Sequence, residues 1–248
     1  MANILDRYGI KEVADVTFYE LDDNGKPGAP VLYLDTLKVS TVEQTAENAE
    51  ARGGKGNAAL ISWDYGKEIT VTLEDALYSP KSLALMFGDV DAKGKPAPGT
   101  DDITLLKTVR YDDATATTNT GEYETTVNGT KITLTGCTLY TAEGASTTNT
   151  SSAAYVTGSF TPTSAMTIDV SANAFPGTYY VTGDTYARSE NSGKDEFFQF
   201  IISKAKVLSE SNTITLEAEG DPTVFSMSLK VLRPKTGDMM KLVQYTVE

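Results

Sequence analysis

The strongest constraint on this chain is a series of segments towards its C-terminal end that alternate apolar and polar residues and are separated only by turns. Residues 178–187 (TYYVTGDTYA), 196–205 (EFFQFIISKA), 212–218 (NTITLEA), 223–232 (TVFSMSLKVL) and 239–247 (MMKLVQYTV) each read as a strand bounded by glycine, proline or charged residues. Strands that succeed one another without helices exclude a doubly wound nucleotide-binding fold. The same pattern opens the chain, with 13–21 and 31–39 as two strands, and 58–65 and 68–73 as a hairpin turning at Gly66. Val, Ile, Tyr, Phe and abundant Thr suit a pleated, half-buried surface. At 248 residues the chain can bury a core without disulfide staples. The expectation is one mainly β domain of two packed antiparallel sheets, sandwich- or barrel-like, with one flanking α-helix.

That helix has clear end signals. Ser79 is an N-cap, Pro80 takes the first helical position, and Gly88 stops the helix, leaving 80–87 between them. Leu83, Met86 and Phe87 fall at i, i+3 and i+4 and form its packing face. A weaker capping pattern at 72–75 suggests an extra turn over 74–78. Beyond a Pro/Gly-rich connector at 89–102, residues 100–165 are rich in Thr, Ser and Gly and read as an insertion or extra hairpins. Within them, Asn128-Gly129 between 122–126 and 131–134 marks a type I′ hairpin.

Residues 41–57 (TVEQTAENAEARGGKGN) are polar and charged and read as a long exposed loop with at most one helical turn. Lys55 is followed by Gly56 and Asn57 rather than Ser or Thr, so this is not a phosphate-binding loop. A long ordered loop in a compact domain is often functional, for example as an assembly contact. Trp63 is assigned to core or sheet packing.

The chemistry of catalysis is sparse. The chain has no His, which excludes Ser-His-Asp and Cys-His catalysis and imidazole metal sites. Cys137 is alone and reads as a small apolar strand residue. Asp22-Asp23-Asn24-Gly25 is a turn, too short for a calcium loop. Gly183-Asp184 and Gly220-Asp221-Pro222 also read as turns. The carboxylate pairs Asp101/Asp102, Asp112/Asp113, Asp195/Glu196 and Glu217/Glu219 are solvated or point to opposite faces, and Arg233-Pro234-Lys235 is too short for a nucleic-acid arm. A net charge of -13 repels polyanions. The N-terminal residues lack a basic leader and an apolar stretch, and no apolar run reaches membrane-spanning length. The sequons at Asn128 and Asn149 are therefore not read as glycosylated, and synthesis and assembly in a cytoplasm are expected.

Residues 53–57 (GGKGN), 63–70 (WDYGKEIT) and 73–79 (LEDALYS), with 175–180 (FPGTYY), 197–200 (FFQF), 217–222 (EAEGDP) and 240–242 (MKL), resemble the major tail, or tail tube, proteins of phages and prophages of Gram-positive bacteria. The likeness covers both ends of the chain and leaves out roughly 100–165. It implies a structural virion protein rather than an enzyme, with no cofactor or metal, that packs as hexameric rings stacked into a tube. Strands of each subunit would line the lumen, and a long loop would contact the neighbouring ring. On this chain that loop is 41–57, with Glu43, Gln44, Glu47, Glu50, Arg52 and Lys55 as contact residues. The implied partners are further copies of the chain, the tape measure protein, tail terminator and distal tail or baseplate proteins, and a sheath where the tail contracts. DNA would pass in transit without specific binding, and no membrane is involved. The alternatives are another tail, baseplate or Hcp-like injection component, a surface β-sandwich adhesin, and a carboxylate-based carbohydrate enzyme.

Overall fold

The structure is a computed structural model, and it describes residues 7–100, 102–210, 212–214 and 223–246. In chain order the strands are β1 (Tyr8–Ile10), β2 (Asp15–Leu21), β3 (Pro27–Leu34), β4 (Leu37–Gly53) and β5 (Ala58–Asp75), followed by helix α1 (Pro80–Phe87). Next come β6 (Leu105–Arg110), β7 (Ala114–Ala116), β8 (Tyr123–Val127), β9 (Thr130–Tyr140), β10 (Ser146–Thr147) and β11 (Tyr155–Phe160). The last four are β12 (Thr178–Ser189), β13 (Asp195–Val207), β14 (Phe225–Val231) and β15 (Met240–Tyr245). The protein is mainly β, with two antiparallel sheets and one α-helix among the described residues. These form two compact units, Gly99–Thr167 and the remainder.

In the larger unit a nine-stranded sheet runs β3-β2-β12-β13-β14-β5-β4, with β1 added to β12 and β15 to β13. Its two end strands, β3 and β4, are joined by only Asp35 and Thr36. Laid flat, the six steps between them would separate these edges by about 29 Å at about 4.8 Å per step. The link spans at most about 11 Å. The sheet must therefore curl until its ends meet. The core confirms this, since Leu32 and Leu34 of β3 share one buried cluster with Leu37 of β4, Val71 and Leu73 of β5, and Val181 and Ile202 at the middle of the sheet. Helix α1 sits at the seam, where Ser82 and Met86 line a narrow gap with Leu34, Leu37, Leu73 and Asp75.

Local chemistry fixes the helix. Ser82 N donates to Ser79 Oγ at 3.0 Å and Ser79 N donates to Ser82 Oγ at 2.9 Å, a reciprocal cap. Gly88 ends α1 at φ 82°, where a side chain would also strike the Phe175 backbone. Leu83 and Phe87 pack against the core, and Met86 lies within it. Across the sheet, Tyr179 is buried edge-on to Phe18, with ring centroids 5.9 Å apart. Its hydroxyl donates to the Gly94 carbonyl at 2.6 Å and accepts from Gly177 N at 3.2 Å, tying two loops to the sheet.

Several expectations are corrected here. The strand expected over 31–39 breaks at Asp35-Thr36, the seam link. Residues 41–57 are not a loop: they form most of β4 and the tight turn that follows it, because β5 supplies a backbone partner along their length. The hairpin expected at Gly66 is instead one continuous strand, β5, with Gly66 in a bulge. Residues 74–78 add no helical turn, because β5 extends to Asp75 and pairs with β14 there. Gly183-Asp184 is no turn but the middle of β12, where the Phe200 ring of β13 lies over the bare Gly183 backbone and Asp184 accepts from Gln199 Nε2 at 2.7 Å. Asp101, most of the strand expected over 212–218, the pair Glu217/Glu219 and the turn Gly220-Asp221-Pro222 lie outside the described residues.

The smaller unit is a six-stranded sheet, β6-β11-β9-β8-β7 with β10 on β9. Asn128 and Gly129 both take positive φ, 47° and 79°, as a type I′ turn requires. Leu134 and Val156 are fully buried and Leu139 nearly so. Gly158 faces Cys137, whose sulfur would lie 2.4 Å from any added Cβ. Partial burial pushes the Cys137 thiol above its ordinary pKa, as fits a packing residue.

Candidate functional site

Beyond the sheet, β4 and β5 continue as a two-stranded ribbon. The last β5 residue paired with β14 is Thr70, opposite Lys230, and Thr70 also lies opposite Glu43. From Gln44 to Gly53 the ribbon has no third strand among the described residues, a projection of about 33 Å at about 3.3 Å per residue. A tight turn closes the tip, with Gly54, Gly56 and Asn57 at positive φ and Asn57 N bonded to the Gly54 carbonyl at 3.2 Å. Lys55 stands at this tip.

The ribbon is amphipathic. Residues facing one another across a ladder share a face. Trp63 opposes Ala49, Ile61 opposes Ala51, and Tyr65 opposes Glu47. Between these pairs one ladder face is apolar apart from Glu47, with Thr45 and Glu68 next to it towards the sheet, and Ile61, Trp63 and Tyr65 on it are each 53% exposed. Trp63, expected in core or sheet packing, is not in the core: it lies in the β4–β5 ladder opposite Ala49, on a face that the described residues leave half exposed. The other face is mainly polar, with Leu60, 67% exposed, at the register shift between Ala51 and Arg52. Asn48 Nδ2 bonds Ser62 Oγ and reaches Asp64 Oδ1 at 2.9 Å, and Arg52 pairs with Glu50 at 2.5 Å.

The six residues expected to make contacts are therefore distributed by register. Glu43 and Glu47 belong to the ladder face of Trp63, Gln44 opposes Ile69 on the core side, Glu50 and Arg52 sit on the polar face, and Lys55 caps the tip. Sequence reasoning missed Ile61, Trp63 and Tyr65. Their spacing by two residues was the available signal.

Isolated two-stranded hairpins are marginal in water, and unpaired edges with apolar side chains invite pairing with another chain. Elsewhere the described residues include no group of three or more metal-ligating side chains, and no helix among them is long and apolar enough to cross a membrane. The carboxylates of Asp195 and Glu196 have separate partners, Arg188 at 2.6 and 2.8 Å and Gln244 at 2.7 Å.

A family model for the YomU/Tube protein family matches residues 8–244. No curated protein matches the chain. The chain belongs to the YomU/Tube protein family, and it is a structural component of the phage tail tube.

Proposed function

We propose that this member of the YomU/Tube family polymerises as hexameric rings stacked into the tail tube, with the β4–β5 ribbon as a principal contact between copies. The single observation that carries this reading is the ribbon's half-exposed apolar face of Ile61, Trp63 and Tyr65 on a projection with no third strand among the described residues. Heterologous contacts of one patch on a different patch close into rings or extend as stacks. Burying the ribbon between copies also removes its free edges.

In this reading the tube is assembled in the host cytoplasm around the tape measure protein, is bounded by terminator and distal tail or baseplate proteins, and later conducts DNA. A chain of net charge -13 supports passage without adhesion, because DNA is held by cationic groups that release its counterions. The role is that of a shaped conduit, with no reaction performed by any side chain.

The test is negative-stain microscopy of the purified chain at rising concentration. Six-fold rings and stacked tubes are expected. A particle that stays monomeric at every concentration refutes the reading.

A further inference from the structure

We infer that the one-residue bulge at Gly66 directs the ribbon's apolar face away from the subunit's own core and towards a second copy; this rests on the assembly reading above. In sequence, Ile61, Trp63, Tyr65, Ile69, Val71 and Leu73 are all spaced by even numbers of residues. A regular strand alternates faces with period two, so it would place all six on the core side. The register shows otherwise. Tyr65 opposes Glu47 and Glu68 opposes Thr45. Glu47 and Thr45 are two apart on β4 and share a face, whereas Tyr65 and Glu68 are three apart on β5.

The extra β5 residue is taken up in a bulge with Gly66 at φ 63°, a left-handed conformation that favours glycine. No tight packing demands glycine there, since the nearest atom to an added Cβ is Glu47 Cγ at 3.7 Å. The backbone conformation is the requirement.

The bulge divides one apolar series into two. Ile69, Val71 and Leu73 are 4%, 0% and 1% exposed, while Ile61, Trp63 and Tyr65 are each 53% exposed. Near the bulge the latter share their ladder face with Glu68, Thr70 and Thr72, on the side of β5 turned from the core. A second copy of the chain is the occupant, because the family builds a tube from repeated copies. The ribbon's facing is thus set by one backbone irregularity.

Changes in residue count test this directly. Inserting one glycine after Ala46 gives β4 a partner for the extra β5 residue. The ladder becomes regular, and Ile61, Trp63 and Tyr65 turn to the core side. Deleting Gly66 removes the bulge but leaves Tyr65 and Glu68 two apart, so the facing is kept; combining both changes moves the bulge to β4 and also keeps it. By microscopy and sedimentation, the insertion variant should need at least about tenfold more protein to polymerise, a change of about 1.4 kcal/mol. The deletion and combined variants should polymerise as the native chain does.

Trp63→Asp separates the two levels. Loss of assembly in Trp63→Asp with normal assembly of the folded insertion variant overturns the bulge inference and leaves the ribbon reading standing. Normal assembly of Trp63→Asp overturns both. Should the insertion variant fail to fold, the Gly66 deletion decides: a folded deletion variant that polymerises supports the inference, and one that does not overturns it.

Discussion

Replacing Trp63 with threonine isolates the assembly contribution of a single ring. Threonine keeps a strong strand preference, so the ribbon retains its local conformation. A tryptophan side chain buries up to about 250 Å² when fully covered. With 53% of Trp63 exposed, contact with another copy can remove about 125 Å² from water, worth about 3 kcal/mol at about 25 cal/mol per Å². The concentration at which polymer forms should rise about 100-fold. The monomer's melting should hardly change, because surface substitutions of this kind usually shift stability by about 0.5 kcal/mol or less. Light scattering and sedimentation give the threshold concentration, and thermal melting by circular dichroism gives the stability. Trp63 is the only tryptophan, so in the native chain its emission should also move to shorter wavelength on assembly. Polymerisation of Trp63→Thr at the native threshold, or native emission that is the same in monomer and polymer, would refute the reasoning.

Three further outcomes follow from packing in the two units. An added Cβ at Gly183 would lie 2.0 Å from the Phe200 ring, so Gly183→Ala should cost about 1–3 kcal/mol in denaturant unfolding, with partial recovery on adding Phe200→Leu. Burial pushes the Tyr179 hydroxyl up to about 12 from 10; because the folded chain holds this proton more tightly than the unfolded one, that stability is complete below pH 10 and is lost as pH rises through 12. An alkaline unfolding series should show the loss, of order 2 kcal/mol, and Tyr179→Phe should remove that component while itself costing about 1–2 kcal/mol for the unpaired Gly94 carbonyl. In the smaller unit, Gly158→Ala should lower its stability by crowding the Cys137 sulfur, and adding Cys137→Ala should restore it, as read by hydrogen exchange of β9 and β11.

The features legible in the sequence were those whose cause is local. Ser79, Pro80 and Gly88 delimit α1 because caps act within a turn of the helix end, and Asn128-Gly129 marks its hairpin because both residues tolerate positive φ. The ribbon was illegible for a different reason. Residues 41–53 lack apolar alternation because in this chain they face solvent on both sides, and polar strands carry no hydrophobic signal. Gly66 reads equally as a turn or a bulge, since positive φ serves both, and only the count of partners on β4 distinguishes them. Gly183 resembles a turn residue until Phe200 of the neighbouring strand is set against it. The exposure of Ile61, Trp63 and Tyr65 is not legible either, because their even spacing from the buried Ile69, Val71 and Leu73 reads as one continuous core-facing series.

The seam between β3 and β4 has a mechanical consequence. Both arms of the ribbon are rooted there, Leu37 opposite Asp75, with β14 alongside β5 and α1 against the gap. Tension on an anchored ribbon tip would run along β4 and β5 into this root. Antiparallel ladder bonds lie perpendicular to the strands, so such a load shears several of them together instead of opening them one by one. On the proposed reading, a tube joined through such ribbons would be stiff when stretched and would yield first by bending between Thr70 and the ribbon tip, where the described residues supply no third strand.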